Sequence, residues 1–232
     1  MESFHSLHQK IIRCTRCPRL RTHCATIAKT KRKAYHQETY WGRPVPGFGD
    51  FRAKLWIVGL APGAHGANRT GRVFTGDSSG DWLYRALYEH GWSSQEVSRN
   101  AQDNLCLSNV YISCVCRCAP PQNKPLPSEI LNCAPYLRTE WELLKFPPLI
   151  LTLGKTAFES VKALLTEHYR LAKKPTWIFK HLAHYSLNGT EILVSYHPSR
   201  QNTATKKLTP KMWNAVFKKS SRLLENHTFG KN

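Results

Sequence analysis

The amino-acid sequence predicts an α/β fold: a three-layer sandwich in which a central four-stranded parallel sheet lies between helices. Short apolar, β-rich runs alternate about four times with amphipathic helical patterns along the 232 residues. Small and polar residues follow the first and last of these runs, as expected where ligands bind beyond the carboxyl ends of parallel strands. The length suits one substantial core, so we expect a single domain over residues 1–232, with residues 1–50 packed on it.

The first fifty residues predict two short helices. The first helix spans residues 3–13, and its apolar positions recur on one face: Phe4, Leu7 and Ile11. A second, basic helix is expected over residues 19–28. The run Lys29-Thr-Lys-Arg-Lys33 then forms either a solvated face or a set of phosphate contacts that do not read base sequence. Glycine and proline at residues 41–50 are typical of a loop.

The rest of the chain predicts strands and helices in alternation. The strands are expected at residues 55–59, 107–114, 149–153 and 192–196. The helices are expected at residues 79–90, 128–146, beyond Gly154 and from Pro210 onward. Ser128 is a plausible N-cap, and Pro135 should kink or delay its helix. Thr209-Pro210 suits a helix start. Residues 177–187 favour at most one extra strand.

The loop between the first strand and its helix carries the most distinctive composition. Its glycines allow turns that are closed to other residues and leave room for a large or flat ligand: Gly63, Gly66, Gly71 and Gly76. Phe74 is the aromatic exception, either a core residue or a stacking platform. Asp77 opens the following helix and would serve as its N-cap. Asn68 and Asn109 are compatible with turn and strand-end positions.

His197 follows the last strand directly, where an imidazole N–H can donate to a developing oxyanion. The cations beyond it either hold phosphates or form a solvated face: Arg200, Lys206, Lys207 and Lys211. Lys and Arg exceed Asp and Glu by 34 − 15 = 19 over the chain. Such a balance favours a polyanionic partner, nucleic acid first. A membrane is disfavoured because no long apolar run or lipidation motif is present.

Eight cysteines indicate a metal centre more than disulfides, because the amino terminus lacks the apolar stretch of a secretory signal. We therefore expect a cytoplasmic, nucleoid-associated protein. Cys14 and Cys17 form a Cys-x-x-Cys pair that can join Cys118 and Cys133 around one centre. Four thiolates hold either zinc or an iron–sulfur cluster, and the spacing does not choose between them. Cys116 is the residue that would replace Cys118.

Three motifs resemble the family 5 (type b) uracil-DNA glycosylases over positions 14 to about 214. Gly59-Leu-Ala-Pro-Gly-Ala-His-Gly-Ala-Asn-Arg-Thr-Gly-Arg-Val-Phe-Thr-Gly-Asp77 resembles their first motif. His197-Pro-Ser-Arg-Gln-Asn202 resembles the second, DNA-intercalating motif of the superfamily. The cysteine pattern, with Arg117-Cys-Ala-Pro-Pro before Cys133, resembles the four ligands of their 4Fe–4S cluster.

The resemblance implies a repair enzyme that flips a nucleotide out of the DNA stack and hydrolyses the glycosidic bond of uracil and other deaminated bases, leaving an abasic site. It implies that Phe74 stacks on the base, Asn109 meets the edge of the base and His197 donates to its O2. The remaining base-contacting positions are Ala61, Gly63, His65 and Asn68. The residues implied to wedge the minor groove and hold the backbone are Pro198, Ser199, Arg200, Asn202, Lys206 and Lys207.

No residue beside Gly59 can orient water, because Leu60, Ala61 and Ala64 are apolar. Asp77 is the preferred water-activating group, and Asn68 and His65 are the alternatives. A pocket with few polar discriminators would also accept hypoxanthine and xanthine. The cluster would be structural, since base hydrolysis needs no electrons. The competing hypotheses are a DNA-binding or damage-sensing protein without turnover and a zinc-stabilised nucleotide-binding protein. A monomer is expected.

Overall fold

The structure is a computed structural model that describes residues 2–229. Its elements follow one another as α1 (Phe4–Ile12), α2 (Pro18–Thr30), β1 (Phe48–Gly49), β2 (Leu55–Gly59), α3 (Ala67–Thr70), α4 (Ser78–Glu89), β3 (Val110–Cys114), α5 (Pro127–Leu143), β4 (Leu149–Leu153), α6 (Lys155–His168), β5 (His184–Leu187), β6 (Thr190–Ser195), α7 (Arg200–Ala204) and α8 (Pro210–Phe229). Single 3-10 turns occupy Lys33–Tyr35 and Pro121–Asn123.

One mixed sheet carries the strand order β1-β3-β2-β4-β6-β5. The four central strands, β3, β2, β4 and β6, run parallel, which confirms the predicted parallel sheet. Two outer strands run antiparallel to it. One of them, β1, lies in the stretch expected to be loop, and β5 is the extra strand anticipated within residues 177–187. The carboxyl ends of the four parallel strands share one end of the sheet, called here the carboxyl end.

Helices cover both faces of the sheet, so the three-layer architecture is confirmed. Alternate residues of a strand point to opposite faces. In β2, Leu55 and Ile57 pack with α4 and α8, whereas Trp56 and Val58 pack with α5 and α6. Because β2, β3 and β4 are buried at every position, their sequences are nearly continuous apolar runs instead of alternating ones.

Several predicted boundaries differ from the structure by one to three residues, and two of the differences have a clear physical cause. β3 begins at Val110, three residues later than expected, because Asn109 has a φ of 60° that a strand cannot continue. Helix α5 begins at Pro127, so Ser128 lies inside it and does not cap it. Proline suits a first helical position, and the Glu129 carboxylate accepts the Leu126 N–H at 2.7 Å. The helix continues through Pro135 to Leu143.

The amino-terminal helices lie against the sheet domain. Leu7 and Ile11 of α1 pack on Tyr136 of α5, and Phe4 stacks on Phe51 with ring centroids 4.2 Å apart. Helix α2 meets the loop that follows β2, as described below. Over residues 2–229, no helix has both the length and the apolar character needed to cross a membrane.

Candidate active site

The candidate site lies at the carboxyl end of the sheet, between the segments that follow β2 and β6. The Gly154 N–H, at the end of β4, donates to the Ser195 carbonyl at 2.9 Å. This contact joins the ends of β4 and β6 and brings His197 alongside: a Cβ on Gly154 would lie 3.5 Å from the His197 Cβ. The loop from Gly59 to Asp77 also starts at the carboxyl end of the sheet, because it follows β2, which pairs with β4.

Phe74 and His197 face each other across this site. Their ring centroids are 5.7 Å apart and their planes differ by 26°. Phe74 has a φ of 52°, a left-handed conformation that costs on the order of 1 kcal/mol for such a residue. A Cβ on Gly59 would lie 2.6 Å from Cζ of Phe74, so the ring reaches its position only because residue 59 is glycine.

The His197 imidazole is neutral at physiological pH, because burial lowers its pKa to about 4. Its backbone is held by the loop beyond it: the Asn202 Nδ2 donates to the His197 carbonyl at 2.9 Å. The Ser199 hydroxyl accepts the Asn202 N–H at 3.3 Å and so caps α7. A neutral ring retains one N–H, which can donate to an oxygen that gains negative charge.

His181, which lies shortly before β5, contacts the residue that precedes His197, and the sequence does not predict this contact. Its Nδ1 accepts the Tyr196 N–H at 3.3 Å, and the two rings stack with centroids 5.1 Å apart. The Lys207 ammonium lies 5.2 Å from the centre of the Tyr196 ring. His181 therefore fixes the backbone one residue before His197. The sequence offers no signal for this contact, since fifteen positions separate the pair.

Asp77 caps α4, as expected: Oδ1 accepts the N–H groups of Ser79 at 3.0 Å and Gly80 at 3.1 Å. Oδ2 faces the β2 loop, where a Cβ would lie 2.6 Å away on Gly63 and 2.1 Å away on Gly66. Burial raises the pKa of this carboxyl, while the two amide donors and the charge of Arg69 oppose the rise. The carboxyl therefore lies directly against the glycine loop.

Asn68 and His65 are turned away from Phe74 and His197. Asn68 is fully buried, and its Nδ2 donates to the carbonyls of Ala64 at 3.3 Å and Cys24 at 3.4 Å. Asn68 therefore joins the loop to α2 through its Nδ2, and its contact with substrate stays a prediction. The His65 Nδ1 lies 3.1 Å from the Tyr40 hydroxyl, and burial lowers the pKa of His65. Ala61 and Gly63 are half-buried on the loop.

Asn109 lies at the opposite, amino end of the sheet, so its predicted place at the base-binding site is corrected. Its N–H donates to Asp50 Oδ2 at 3.0 Å, its carbonyl accepts the Lys54 and Leu55 N–H groups, and its side chain is exposed. Even in the predicted strand over residues 107–114, residue 109 is only the third position, so it lies near the amino end. The first exposed amide side chains after β3 are Gln122 and Asn123, both at positive φ.

Cys116, at the end of β3, and Cys133 of α5 lie in contact, and Cys14 and Cys17 follow α1 nearby. Cys116 donates to Cys133, which lowers the Cys133 pKa to about 6. Asn132 Nδ2 donates to Cys17 Sγ at 3.5 Å. Burial raises the pKa of the Cys17 thiol, and the charges of Cys133 and Cys14 raise it further. Over residues 2–229, however, no three His, Cys, Asp or Glu side chains stand close enough to share a metal ion.

Cys118, which is the predicted fourth ligand, lies apart from Cys133 in the structure, whereas Cys116, the alternative, lies beside it. The Cys118 thiol is hydrogen bonded to Cys24 of α2. Cys116 directly follows β3 and packs with Cys133, whereas two residues later the chain has turned toward α2, where Cys118 packs with Leu20 and Cys24. The spacing permits both cysteines, and the turn of the chain decides between them.

The segment beyond His197 presents cations to solvent. Arg200, Lys206 and Lys207 are exposed, and Lys206 has a φ of 57° at the end of the turn after α7. Pro198 is buried, and Ser199 and Asn202 make the internal contacts described above. The three cations therefore lie on the outer surface beside the site, where the sequence predicts DNA contacts.

Comparisons with known proteins agree with this geometry. The profile of the uracil DNA glycosylase superfamily matches residues 46–220. A type-5 uracil-DNA glycosylase of Thermus thermophilus is 46% identical over 216 residues, 93% of this chain and 95% of the relative. A type-5 relative from Mycobacterium tuberculosis is 44% identical, over 95% of this chain and 82% of the relative. A type-4 relative from Pyrobaculum aerophilum is 31% identical, over 83% and 81%. The chain therefore belongs to the uracil-DNA glycosylase superfamily.

Proposed function

We propose that this protein is a DNA-repair enzyme of the type-5 class that hydrolyses the bond between uracil and deoxyribose. Water supplies a hydroxyl group to C1′ and a proton to the departing base, so the products are free base and an abasic site. The observation that carries this proposal is the Phe74–His197 pair, with a neutral imidazole opposite an aromatic face. The 38–46% identity to type-5 relatives supports it.

The target nucleotide would have to leave the DNA stack to reach the paired rings, because both lie within loops at the carboxyl end of the sheet. The Phe74 face would receive the flipped base, and such stacking contributes about 1–3 kcal/mol per base. Displacement or rotation of the His197 ring would open space for it. Ala61 and Gly63 would present backbone to the ligand from the same loop.

His197 would donate its remaining N–H to the pyrimidine O2 as negative charge collects on the departing base. A neutral donor in a buried site does not require a proton from solvent. Removal of one such donor in enzymes generally lowers the rate about 10²- to 10³-fold. Asp77 would orient the attacking water or stabilise the cationic sugar, since its Oδ2 faces the glycine loop while Oδ1 is fixed by two amides.

An amide that follows β3 would take the place proposed for Asn109. Asn123, exposed and at a φ of 57°, is the candidate that reads the base edge, with Gln122 as its neighbour. The residues that follow Gly59 in the same loop, Leu60, Ala61 and Ala64, are apolar, which supports activity on hypoxanthine and xanthine as well as uracil. Release of uracil alone from a panel of duplexes with single lesions would contradict this broader range.

Cys14, Cys17, Cys116 and Cys133 would hold a 4Fe–4S cluster, with zinc as the alternative. The donor set fits, because thiolates ligate both centres and the Arg117 charge favours the Cys133 thiolate. The group would be structural, tying α1 and α2 to α5. Iron content separates the ligand sets: Cys116→Ala should lower it, whereas Cys118→Ala should leave it at the wild-type value.

We further propose a monomeric, cytoplasmic protein in which the amino-terminal helices and the sheet act as one domain. Contacts of Leu7, Ile11 and Phe4 with the sheet domain support a single unit. The measurement that tests the function is release of base from a labelled duplex containing one uracil, followed by alkaline strand scission at the abasic site. Tight binding of this duplex without base release would favour a damage sensor instead.

A further inference from the structure

The last turn of α2 and the chain that leads from it to β1 concentrate positive charge. Residues 29–43, called here the basic segment, contain five cations: Lys29, Lys31, Arg32, Lys33 and Arg43. All but Lys31 are exposed. Its one acidic residue, Glu38, is paired with Arg69 of the β2 loop. In the part of the chain that the structure describes, none of the five cations forms an ion pair, so their charge is available to a partner.

The basic segment is fixed to the loop that forms the site. The Trp41 N–H donates to the Arg69 carbonyl at 2.8 Å, and the Arg69 guanidinium lies 4.0 Å from the centre of the Tyr35 ring. The Tyr40 hydroxyl lies 3.1 Å from His65 Nδ1. These contacts hold the segment in one shape before any ligand arrives, so little chain entropy would be lost when a ligand binds.

Two cationic surfaces therefore flank the candidate site. The basic segment lies against the loop after β2, and Arg200, Lys206 and Lys207 lie on the loop after β6. One strand, β4, separates β2 from β6 in the sheet, so the two loops start about 10 Å apart. That distance is about three base-pair steps of duplex DNA, at about 3.4 Å for each phosphate along a strand.

We propose that the basic segment binds the DNA backbone on one side of the lesion, and that the loop after β6, called here the His197 loop, lies on the other side. The inference rests on the proposed function, because it assumes that a duplex lies across the site. A nucleotide that enters between the two loops leaves duplex on both sides. The His197 loop would hold the phosphates on one side, and Lys29, Arg32 and Lys33 would hold those on the other.

The test compares two triple variants that remove the same charge from opposite ends of the molecule. K29S/R32S/K33S neutralises the basic segment. The control, R170S/K173S/K174S, neutralises three exposed cations just beyond α6. Helix α6 starts at the carboxyl end of the sheet and returns to the amino end, so these residues lie far from the site. Thermal midpoints should match the wild type in both variants, since none of the six side chains makes an ion pair within residues 2–229.

The measurement is the dissociation constant for a duplex that carries one stable tetrahydrofuran abasic-site analogue, recorded at several salt concentrations. Each phosphate contact contributes about 0.9 to the slope of log Kd against log salt concentration. We expect the slope of K29S/R32S/K33S to fall by about 2–3 and its Kd at 0.1 M salt to rise roughly 10²-fold. The control should keep the wild-type slope.

Equal slopes for wild type and K29S/R32S/K33S would overturn the inference. Equal losses in the two triple variants would overturn it as well, because they would show that net charge acts at long range. The binding assay requires no turnover, so it remains decisive if the proposed function fails. That failure would be a separate result: no release of uracil by the wild-type protein.

Discussion

Polar residues lie at both ends of the central sheet, but they differ in whether the protein satisfies their hydrogen-bonding groups. At the amino end, Asn109 gives its N–H to Asp50 and its carbonyl to Lys54 and Leu55, so its backbone polar groups hold the chain together. At the carboxyl end, the His197 ring makes no hydrogen bond with any residue of the described part of the chain. It faces Phe74, which is held in a left-handed conformation.

This difference separates structural from functional polar groups better than residue type does. Bonded polar groups at the amino end stabilise turns, whereas the carboxyl end keeps a neutral imidazole and a carboxylate oxygen directed at a glycine loop. A side-chain polar group that the protein leaves without a hydrogen bond is available to bind a ligand. Four predictions test the contrast.

The largest expected effect is on catalysis. His197→Ala should lower the rate of uracil release about 10²- to 10³-fold, because it removes the donor to the departing base. Asn109→Gly removes an amide at the amino end while glycine accepts the positive φ, and it should change the rate less than about twofold. Single-turnover base release from a labelled duplex measures both. A loss in Asn109→Gly as large as that in His197→Ala would contradict the assignment of the site.

Asp77→Asn should lower the same rate by about 10²-fold, a value at the low end for loss of a proton-transfer or charge-stabilising group. Asparagine caps helices about as well as aspartate, so the thermal midpoint should stay near the wild-type value. Because asparagine keeps the helix cap and removes the charge, the rate and the thermal midpoint together separate these two roles of Asp77. Full activity of the variant would show that Asp77 serves α4 alone.

Glycine substitutions extend the comparison to the backbone. Gly59→Ala places a Cβ 2.6 Å from Phe74 Cζ, so it should displace the ring, cost about 1–3 kcal/mol of stability and slow base release. Gly189, in the turn before β6, has a φ of 80° and open space around it. Gly189→Ala should cost about 1 kcal/mol and leave the rate unchanged. Urea unfolding and single-turnover rates check both variants.

The smallest effect concerns pH. The folded pKa of His197, about 4, lies below its ordinary value of 6.5, so the unfolded chain binds the proton more tightly. Stability should therefore fall as pH decreases from about 6.5 toward 4, by roughly 3 kcal/mol at most for this group. Base release should not vary with the titration of His197 between about pH 6 and 8.

His8 provides the control for this pH dependence. Burial lowers its pKa to about 4 as well, and its Nε2 lies 3.1 Å from the Tyr111 hydroxyl, away from the site. His8→Gln and His197→Gln should each flatten the fall of unfolding free energy between pH 7 and 5. A rate loss is expected in His197→Gln alone. An unchanged pH dependence of stability in both would contradict these pKa shifts.

The sequence by itself determined the α/β class, the parallel strands and the loops that carry Phe74, Asp77 and His197. Hydrophobic periodicity and glycine spacing are local properties, and parallel strands must share a carboxyl end. Tertiary structure alone decided which polar residues face the site. Asn109 directly precedes β3 and so lies at the amino end of the sheet. Cys116 packs with Cys133 whereas Cys118 packs with Cys24, because the chain turns between them. The point at which a strand begins and the direction in which the chain leaves it depend on a few backbone dihedral angles, and residue type alone does not determine those angles.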